Sequence, residues 1–585
     1  MKYRAEIDGL RAIAVLPVIL FHAGFKSFSG GYVGVDIFFV VSGYLITTII
    51  ISEMKKGEFS IINFYERRAR RILPALFFMM ALCLLPAYFF MLPDPLENFG
   101  QSLVSTSLFS NNILLHITSS YWDLASEYKP LLHTWSLAVE EQYYIIFPIL
   151  MLVIWKFGKN MILFCFLLII IISLYFAHFE LDRDLAFYSL HTRAFELLLG
   201  ASMCSYFIGK PVNFSALSKN ILSFIGLIMI SISILFFDSD TLFPSFLTLI
   251  PVIGTCLIIY FTDINSFIYK ILASRVLVSI GLVSYSAYLF HQPIISFLKI
   301  YSINLPSTYD YISAIVITFC LAWFSYRFIE SPFRNKERVS RKSIFLFSFI
   351  SIFSFSLVGL YINSTGGIPD RLNNNLSPLE NSKVLSQRAW SYKNDSFKEV
   401  DKLNILVVGN SYGRDVVNML IETFDKEDYE IIYRDDMSSC SFIEKTDLNL
   451  FSQSEVIIFA SNYLNQTCNI KLIDNPSFTK KIFFMGYKNF GYNLNWVMRV
   501  PKDKRLNLRN PLDLEFLRYE EEFKKTIPEA NFISIFDFLV ENNTIIITND
   551  EGYLLSDDRS HLTLAGAKYV GKKVLAESEI KEFFN

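Results

Sequence analysis

Apolar segments of roughly 16 to 22 residues recur from the N-terminus to about residue 362, and this feature decides what the chain can become. A helix rises about 1.5 Å per residue, so segments of this length match the ~30 Å hydrocarbon core of a bilayer. Hydrophobic residues make up 52% of the 585-residue chain and charged residues only 18%, the balance expected of a polytopic membrane protein. From Asn363 onward the sequence turns charged and Asn-rich, which marks a soluble C-terminal third. A formal net charge of −2 gives no reason to expect a nucleic acid partner. The first apolar run starts after Arg11 without a small-residue cleavage pattern, which argues against a cleavable signal peptide.

Eleven spans are expected, near residues 10–26, 32–52, 72–92, 135–155, 161–178, 188–208, 220–237, 243–262, 277–300, 309–330 and 343–362. The stretch 98–116 carries Gln101, Asn111 and Asn112, and parity decides its status. Cytoplasmic placement of Arg67–Arg71 and of the basic run Arg334–Lys342 requires that this stretch not cross. It reads as a re-entrant or interfacial helix on the outer side. Ten spans then form a core, and the eleventh carries the C-terminal domain out. Of seven cysteines, Cys440 and Cys468 alone lie in the soluble part; in an oxidising compartment they are expected to pair. No cysteine spacing suggests a metal site.

Ionisable side chains inside a bilayer are costly, so each is a functional candidate. Arg11 and His22 are eleven residues apart, about three turns, and share a helix face about 16 Å apart. His133 and Glu140 share a face of the fourth span, and Arg193 with Glu196 forms an i,i+3 pair able to neutralise both charges. By this topology His22, His133, Glu140, Arg193 and His291 belong to the outer half, with Arg11 and Arg67–Arg71 at the inner mouth. Arginines at one mouth could grip an anionic donor while a histidine reacts or acts as base deeper in. The same arginines also read as plain topology signals.

The sequence carries Asp8-Gly9-Leu10-Arg11-Ala12 followed by His22, then Phe39-Val40-Val41-Ser42-Gly43-Tyr44, and later Arg68-Ala69-Arg70-Arg71. Further on come His133-Thr134-Trp135-Ser136-Leu137 with Glu140, Arg193 with Glu196 and Gly200, Ser284-Tyr285-Ser286 with His291-Gln292-Pro293, and Glu330-Ser331-Pro332. In this order the motifs resemble the acyltransferase 3 family of integral membrane acyltransferases, over residues 1 to about 335. The resemblance implies a ten-span domain that takes acyl-CoA from the cytosol and in which Arg11 and His22 are essential. On this reading Arg11, Arg67, Arg68 and Arg71 hold the donor's phosphates.

Residues 403–585 alternate strand-like and helical runs, which argues for an α/β/α sandwich. Residues 1–335 then form the membrane domain, and 336–402 hold the eleventh span and a linker. Ser411 follows the first strand within Gly409-Asn410-Ser411-Tyr412-Gly413, at a strand-to-helix turn where backbone N–H groups favour developing negative charge. Asp558 lies three residues before His561, a spacing that can orient an imidazole as base. Together these motifs resemble the SGNH hydrolase family, which implies a Ser411–His561–Asp558 triad and Asn462 as oxyanion-hole donor. No glycine occurs between Gly413 and Gly486, so the family's second oxyanion glycine has no counterpart; a backbone N–H from Ser438–Ser441 could substitute.

Such fusions resemble bacterial O-acetyltransferases. The expected activity is transfer of an acyl group, acetyl first among them, from cytosolic acetyl-CoA to a cell-envelope glycan. Lipopolysaccharide O-antigen or oligosaccharide is the first acceptor expected, with peptidoglycan and exopolysaccharide as alternatives. The protein is placed in the bacterial inner membrane, among lipid, with its C-terminal domain in the periplasm. Two rivals are an acyl-donor carrier whose outer domain only binds glycan, and a membrane-anchored esterase.

Overall fold

The computed structural model of the chain describes residues 3–118, 126–204, 214–372, 382–398, 401–437, 439–440, 448–460, 466–473, 482–512 and 514–584. It divides into two compact units. One comprises Met1–Phe89, Glu97–Lys299 and Leu305–Ser364; the other comprises Phe90–Leu96, Ile300–Asn304 and Thr365–Asn585. The division after Ser364 keeps the eleventh helix with the first unit and assigns Thr365 onward to the second.

The first unit is helical, and each expected apolar segment falls on a helix. These are α1 Ala5–His22, α2 Gly34–Lys56, α3 Ile61–Phe90, α4 Thr134–Ile154, α5 Lys159–Phe179, α6 Leu190–Ser202, α7 Ala216–Phe236, α8 Leu249–Phe261, α9 Arg275–Tyr301, α10 Thr308–Ser325 and α11 Arg341–Ser364. Among the described residues, seven helical stretches are long and apolar enough to cross a membrane, those built on α2, α3, α4, α5, α7, α10 and α11. The other four are shorter or carry more polar side chains. Large apolar residues on α5, α7 and α11, such as Phe164, Phe236 and Phe349, are exposed, as lipid-facing side chains are. The chain is a multi-pass membrane protein.

The stretch 98–116 forms two shorter helices, Pro93–Ser107 and Asn111–Thr118. Its amides are satisfied within the bundle: Gln101 donates to Asn363 (2.9 Å), and Asn111 donates to Leu131 O (3.0 Å) and Thr134 Oγ1 (2.8 Å). Helices α2 and α6 approach closely. A Cβ on Gly43 would lie 1.8 Å from Leu197 O and one on Gly200 2.0 Å from Val40 O, so only glycine allows this approach.

The second unit is α/β. Its strands are β1 Leu403–Gly409, β2 Tyr429–Arg434, β3 Val456–Ala460, β4 Ile482–Met485, β5 Arg509–Pro511, β6 Phe532–Ile533, β7 Val540–Glu541 and β8 Thr544–Ile546. Five form a parallel sheet in the order β2-β1-β3-β4-β6; the other three form a small antiparallel sheet that the sequence did not foretell. Helices α12 Ser411–Thr423, α13 Leu514–Lys524 and α14 Leu564–Val574 accompany them. Leu406, Val408, Phe459 and Phe484 pack with Phe523 of α13, while Val407, pointing the other way, faces α12 at Gly413. Gly409 ends β1 where a Cβ would lie 1.8 Å from Ala460 O of β3. Cys440 and Cys468 form a disulfide with Cα atoms 5.1 Å apart.

Candidate active site

The membrane unit encloses a cavity of about 310 Å³. Arg11 from α1 and Arg68 and Arg71 from α3 line it, and Phe38, Leu45 and Ile46 of α2 supply apolar wall. The two α3 arginines lie three residues apart and therefore share a helix face. Their neighbours in the same basic run face elsewhere. Arg70 is buried between Glu66 (2.9 Å) and Phe333 O (3.1 Å), and Arg67 pairs with Glu53 at 3.0 Å. Arg67 is therefore not part of the cavity wall, because its guanidinium is turned to the α2 carboxylate.

Glu140 joins the arginines at this wall, held by hydroxyls of Ser42 and Tyr144. Arg68 lies over the Tyr144 ring at 5.5 Å, and its Nε is buried without a partner among the described residues. The sequence grouped Glu140 with the histidines. Seven residues of helix are about 10 Å of rise, enough to move Glu140 off the histidine level and into the cavity. Asp8, 3.4 Å from Arg11, is the only acid paired with the three cavity cations among the described residues. An apolar chamber with three converging guanidinium groups suits a ligand with an apolar arm and anionic phosphates.

At the far wall of the cavity stand Ser136 and Tyr288, whose hydroxyls are 2.6 Å apart. Behind them three histidines gather from α1, the residue preceding α4, and α9. The His22 and His291 ring centroids are 5.0 Å apart, and those of His133 and His291 5.5 Å. Both nitrogens of buried His133 lack hydrogen bonds among the described residues. Arg193 is fully buried, paired with Glu196 at 2.9 Å as the spacing implied, and also with Asp36 at 3.1 Å. Aromatic rings of Phe39, Trp135, Phe187 and Phe243 surround its guanidinium. Asp36 went unread in the sequence, although a lone carboxylate in an apolar span was signal enough.

In the second unit Ser411 opens α12 at the carboxyl end of β1. There β2 lies on one side and β3 on the other, so successive crossovers diverge, which is where open parallel sheets form their ligand crevice. The Asn410 side chain accepts the Tyr412 amide (3.0 Å) and caps the helix; Tyr433 OH bonds Gly409 O and Asn410 O. Ser411 Oγ is buried and has no hydrogen-bond partner among the described residues.

Asp558 accepts His561 Nδ1, and its other oxygen accepts the amides of Ser560 (2.9 Å) and His561 (2.8 Å). Burial alone would raise the Asp558 carboxyl. The His561 ring and these amides instead hold it well below the ordinary carboxylate value. Arg559 between them has φ 93°, a strained left-handed backbone fixed by its Nε bond to Gly491 O (3.0 Å) and by Phe490 N (2.8 Å). Asp415, one turn after Ser411, accepts the Leu562 amide (3.3 Å) and the buried ammonium of Lys488. This joins the start of α12 to the His561 loop. Lys488 stands in an ordinary loop and had no sequence signal. Asn462, Ser438 and Ser441 lie outside the described residues.

Residues 4–327 match a family model described as "Acyltransferase domain", of the acyltransferase 3 type. The chain is 36% identical over 355 residues to the peptidoglycan O-acetyltransferase OatA of Listeria monocytogenes, covering 57% of this chain and 56% of that one. It is 33% identical over 354 residues to the O-acetyltransferase OatA of Staphylococcus aureus, covering 57% and 58%. The chain thus spans a little over half the length of these relatives. No solved structure matches it.

Proposed function

The chain belongs to the acyltransferase 3 family, and from that membership we propose that it is a membrane O-acetyltransferase of cell-envelope glycans. The observation that carries the reading is the cavity: three arginines around an apolar chamber, ending at a hydroxyl pair backed by three histidines. Acetyl-CoA fits this donor set, with its phosphates on Arg11, Arg68 and Arg71 and its thioester arm along the apolar wall. His22 takes the proton of the hydroxyl that attacks the thioester. The C–O bond forms, the C–S bond breaks, and the proton passes on to the departing thiolate.

The second unit supplies a second reactive centre. Ser411, with His561 as base and Asp558 as orienter, attacks the ester formed in that first transfer; the ester's C–O bond breaks, its departing oxygen takes the proton from His561, and a sugar hydroxyl then displaces the serine in the same way, regenerating it. The protein sits in the bacterial inner membrane with this unit on the outer, oxidising side, which the Cys440–Cys468 disulfide supports. That compartment holds no acyl-CoA, which is the reason to couple the two centres.

A relative named for peptidoglycan favours the peptidoglycan strand as acceptor over the lipopolysaccharide O-antigen expected from the sequence. Mass spectrometry of both glycans from cells with and without the gene tests this. O-acetyl groups lost from peptidoglycan alone support the reading, and unchanged acetylation of every envelope glycan would overturn it.

A further inference from the structure

His22 ends α1 and His291 lies in the middle of α9, and their rings meet with a defined direction. His291 Nδ1 is 2.6 Å from Tyr288 O, and a carbonyl only accepts, so this nitrogen carries the proton. In the neutral ring Nε2 is then a bare acceptor. His22 Nδ1 is 2.9 Å from Val18 O and is protonated for the same reason. The 3.3 Å contact between His22 Nδ1 and His291 Nε2 is therefore a hydrogen bond in which His22 donates and His291 accepts. Sharing the proton with Val18 O accounts for its length. His22 Nε2 is left with its lone pair.

The geometry points to His291 as the positioning residue for His22: it fixes the reactive tautomer and accepts from Nδ1–H when Nε2 takes a proton. This rests on the reading that His22 is the base of the first transfer. A carboxylate fills the equivalent place in a Ser-His-Asp triad. Here His291 is fully buried, and an uncharged imidazole provides the acceptor without bringing another charge into an apolar bundle. Tyr288 fixes the arrangement from behind. Its carbonyl holds His291, its hydroxyl donates to His133 O (3.1 Å) and meets Ser136, and its ring lines the cavity. Tyr288 thus touches the cavity wall through its ring and hydroxyl and holds His291, the partner of His22, through its backbone carbonyl.

During attack on the thioester, C–O bond formation and C–S bond cleavage put the hydroxyl proton on His22 Nε2 before it reaches the thiolate. The bond to His291 becomes charge-assisted only at that stage, so losing it lowers kcat and leaves KM for the donor unchanged. The experiment uses the full-length protein in proteoliposomes, with radiolabelled acetyl-CoA as donor and soluble peptidoglycan fragments as acceptor. His291→Leu should lower kcat roughly 10- to 100-fold at constant KM, the worth of a hydrogen bond to a charged group. His291→Gln, whose amide oxygen can accept, should recover most of the loss, and His22→Ala should be inactive. Wild-type kcat in His291→Leu, or no recovery in His291→Gln, with His22→Ala inactive, would overturn the role of His291 alone. Retained turnover in His22→Ala would overturn the reading beneath it as well.

Discussion

Replacing Lys488 by methionine tests how the second unit holds its nucleophile helix against its histidine loop. Lys488 is 2% exposed and Asp415 5% exposed. The lysine ammonium bonds Asp415 and lies 4.4 Å from the Tyr412 ring centroid, while its backbone carbonyl accepts Tyr412 OH at 2.9 Å. Lys488→Met leaves Asp415 buried with, among the described residues, only the 3.3 Å bond from Leu562 N. Breaking a buried pair from one side costs about 3–5 kcal/mol. Asp415→Leu strands the ammonium at a similar cost, so independent losses would sum to about 6–10 kcal/mol. The double variant buries no charge and leaves mainly the Leu562 amide unsatisfied, about 1–3 kcal/mol. Hydrogen exchange of the α12 amides in the full-length, detergent-solubilised protein reads these values as opening free energies. A single variant within about 1 kcal/mol of wild type, or a double variant as costly as the sum of the singles, would show that Lys488 and Asp415 are not a coupled buried pair.

Arg68→Ala and Arg71→Ala should each raise KM for acetyl-CoA roughly tenfold or more, whereas Arg67→Ala, which loses only a half-exposed pair with Glu53, should leave it within about twofold. Initial rates against acetyl-CoA concentration decide, and equal effects at all three positions would contradict the cavity assignment. Burial pushes the Glu520 carboxyl up to about 7, against the bonds from Ser534 and the Tyr487 amide. A carboxyl that holds its proton more tightly when folded contributes stability that is full below about pH 4 and is lost as pH rises through about 7, some 3 kcal/mol in all. Exchange protection in β4 and β6 should therefore fall between pH 5 and 8, and Glu520→Gln should flatten that slope; an unchanged slope assigns it to other groups.

The helices of the first unit were legible because span length is set by the bilayer, and each apolar run has room for little else. Which arginines line the cavity was not legible from the run Arg67–Arg71: the helix turns Arg68 and Arg71 to one face, but only the partners Glu53 and Glu66 show why Arg67 and Arg70 leave it. The motif glycines Gly43 and Gly200 were readable as a pattern, and their reason, a backbone contact between α2 and α6, needed the structure. The parallel strands of the second unit followed from continuous apolar runs. Its small antiparallel sheet did not, since strands of two or three residues carry no periodicity. Lys488 and Asp415 come together only through the fold, 73 residues apart.

In the proposed mechanism acetyl leaves acetyl-CoA in the membrane unit and reaches the glycan through an ester on Ser411. The most direct measurement places the full-length protein in proteoliposomes, supplies radiolabelled acetyl-CoA on the Arg11 side and glycan fragments on the other, and follows label on both protein and sugar. Label is expected on the second unit and then on the glycan. Both should be lost in Ser411→Ala and His561→Ala, and the double variant should be hardly worse than either single one. Glycan labelled at substantial turnover by Ser411→Ala, with only a higher glycan concentration required, would contradict it and reduce the outer unit to a tether for the acceptor.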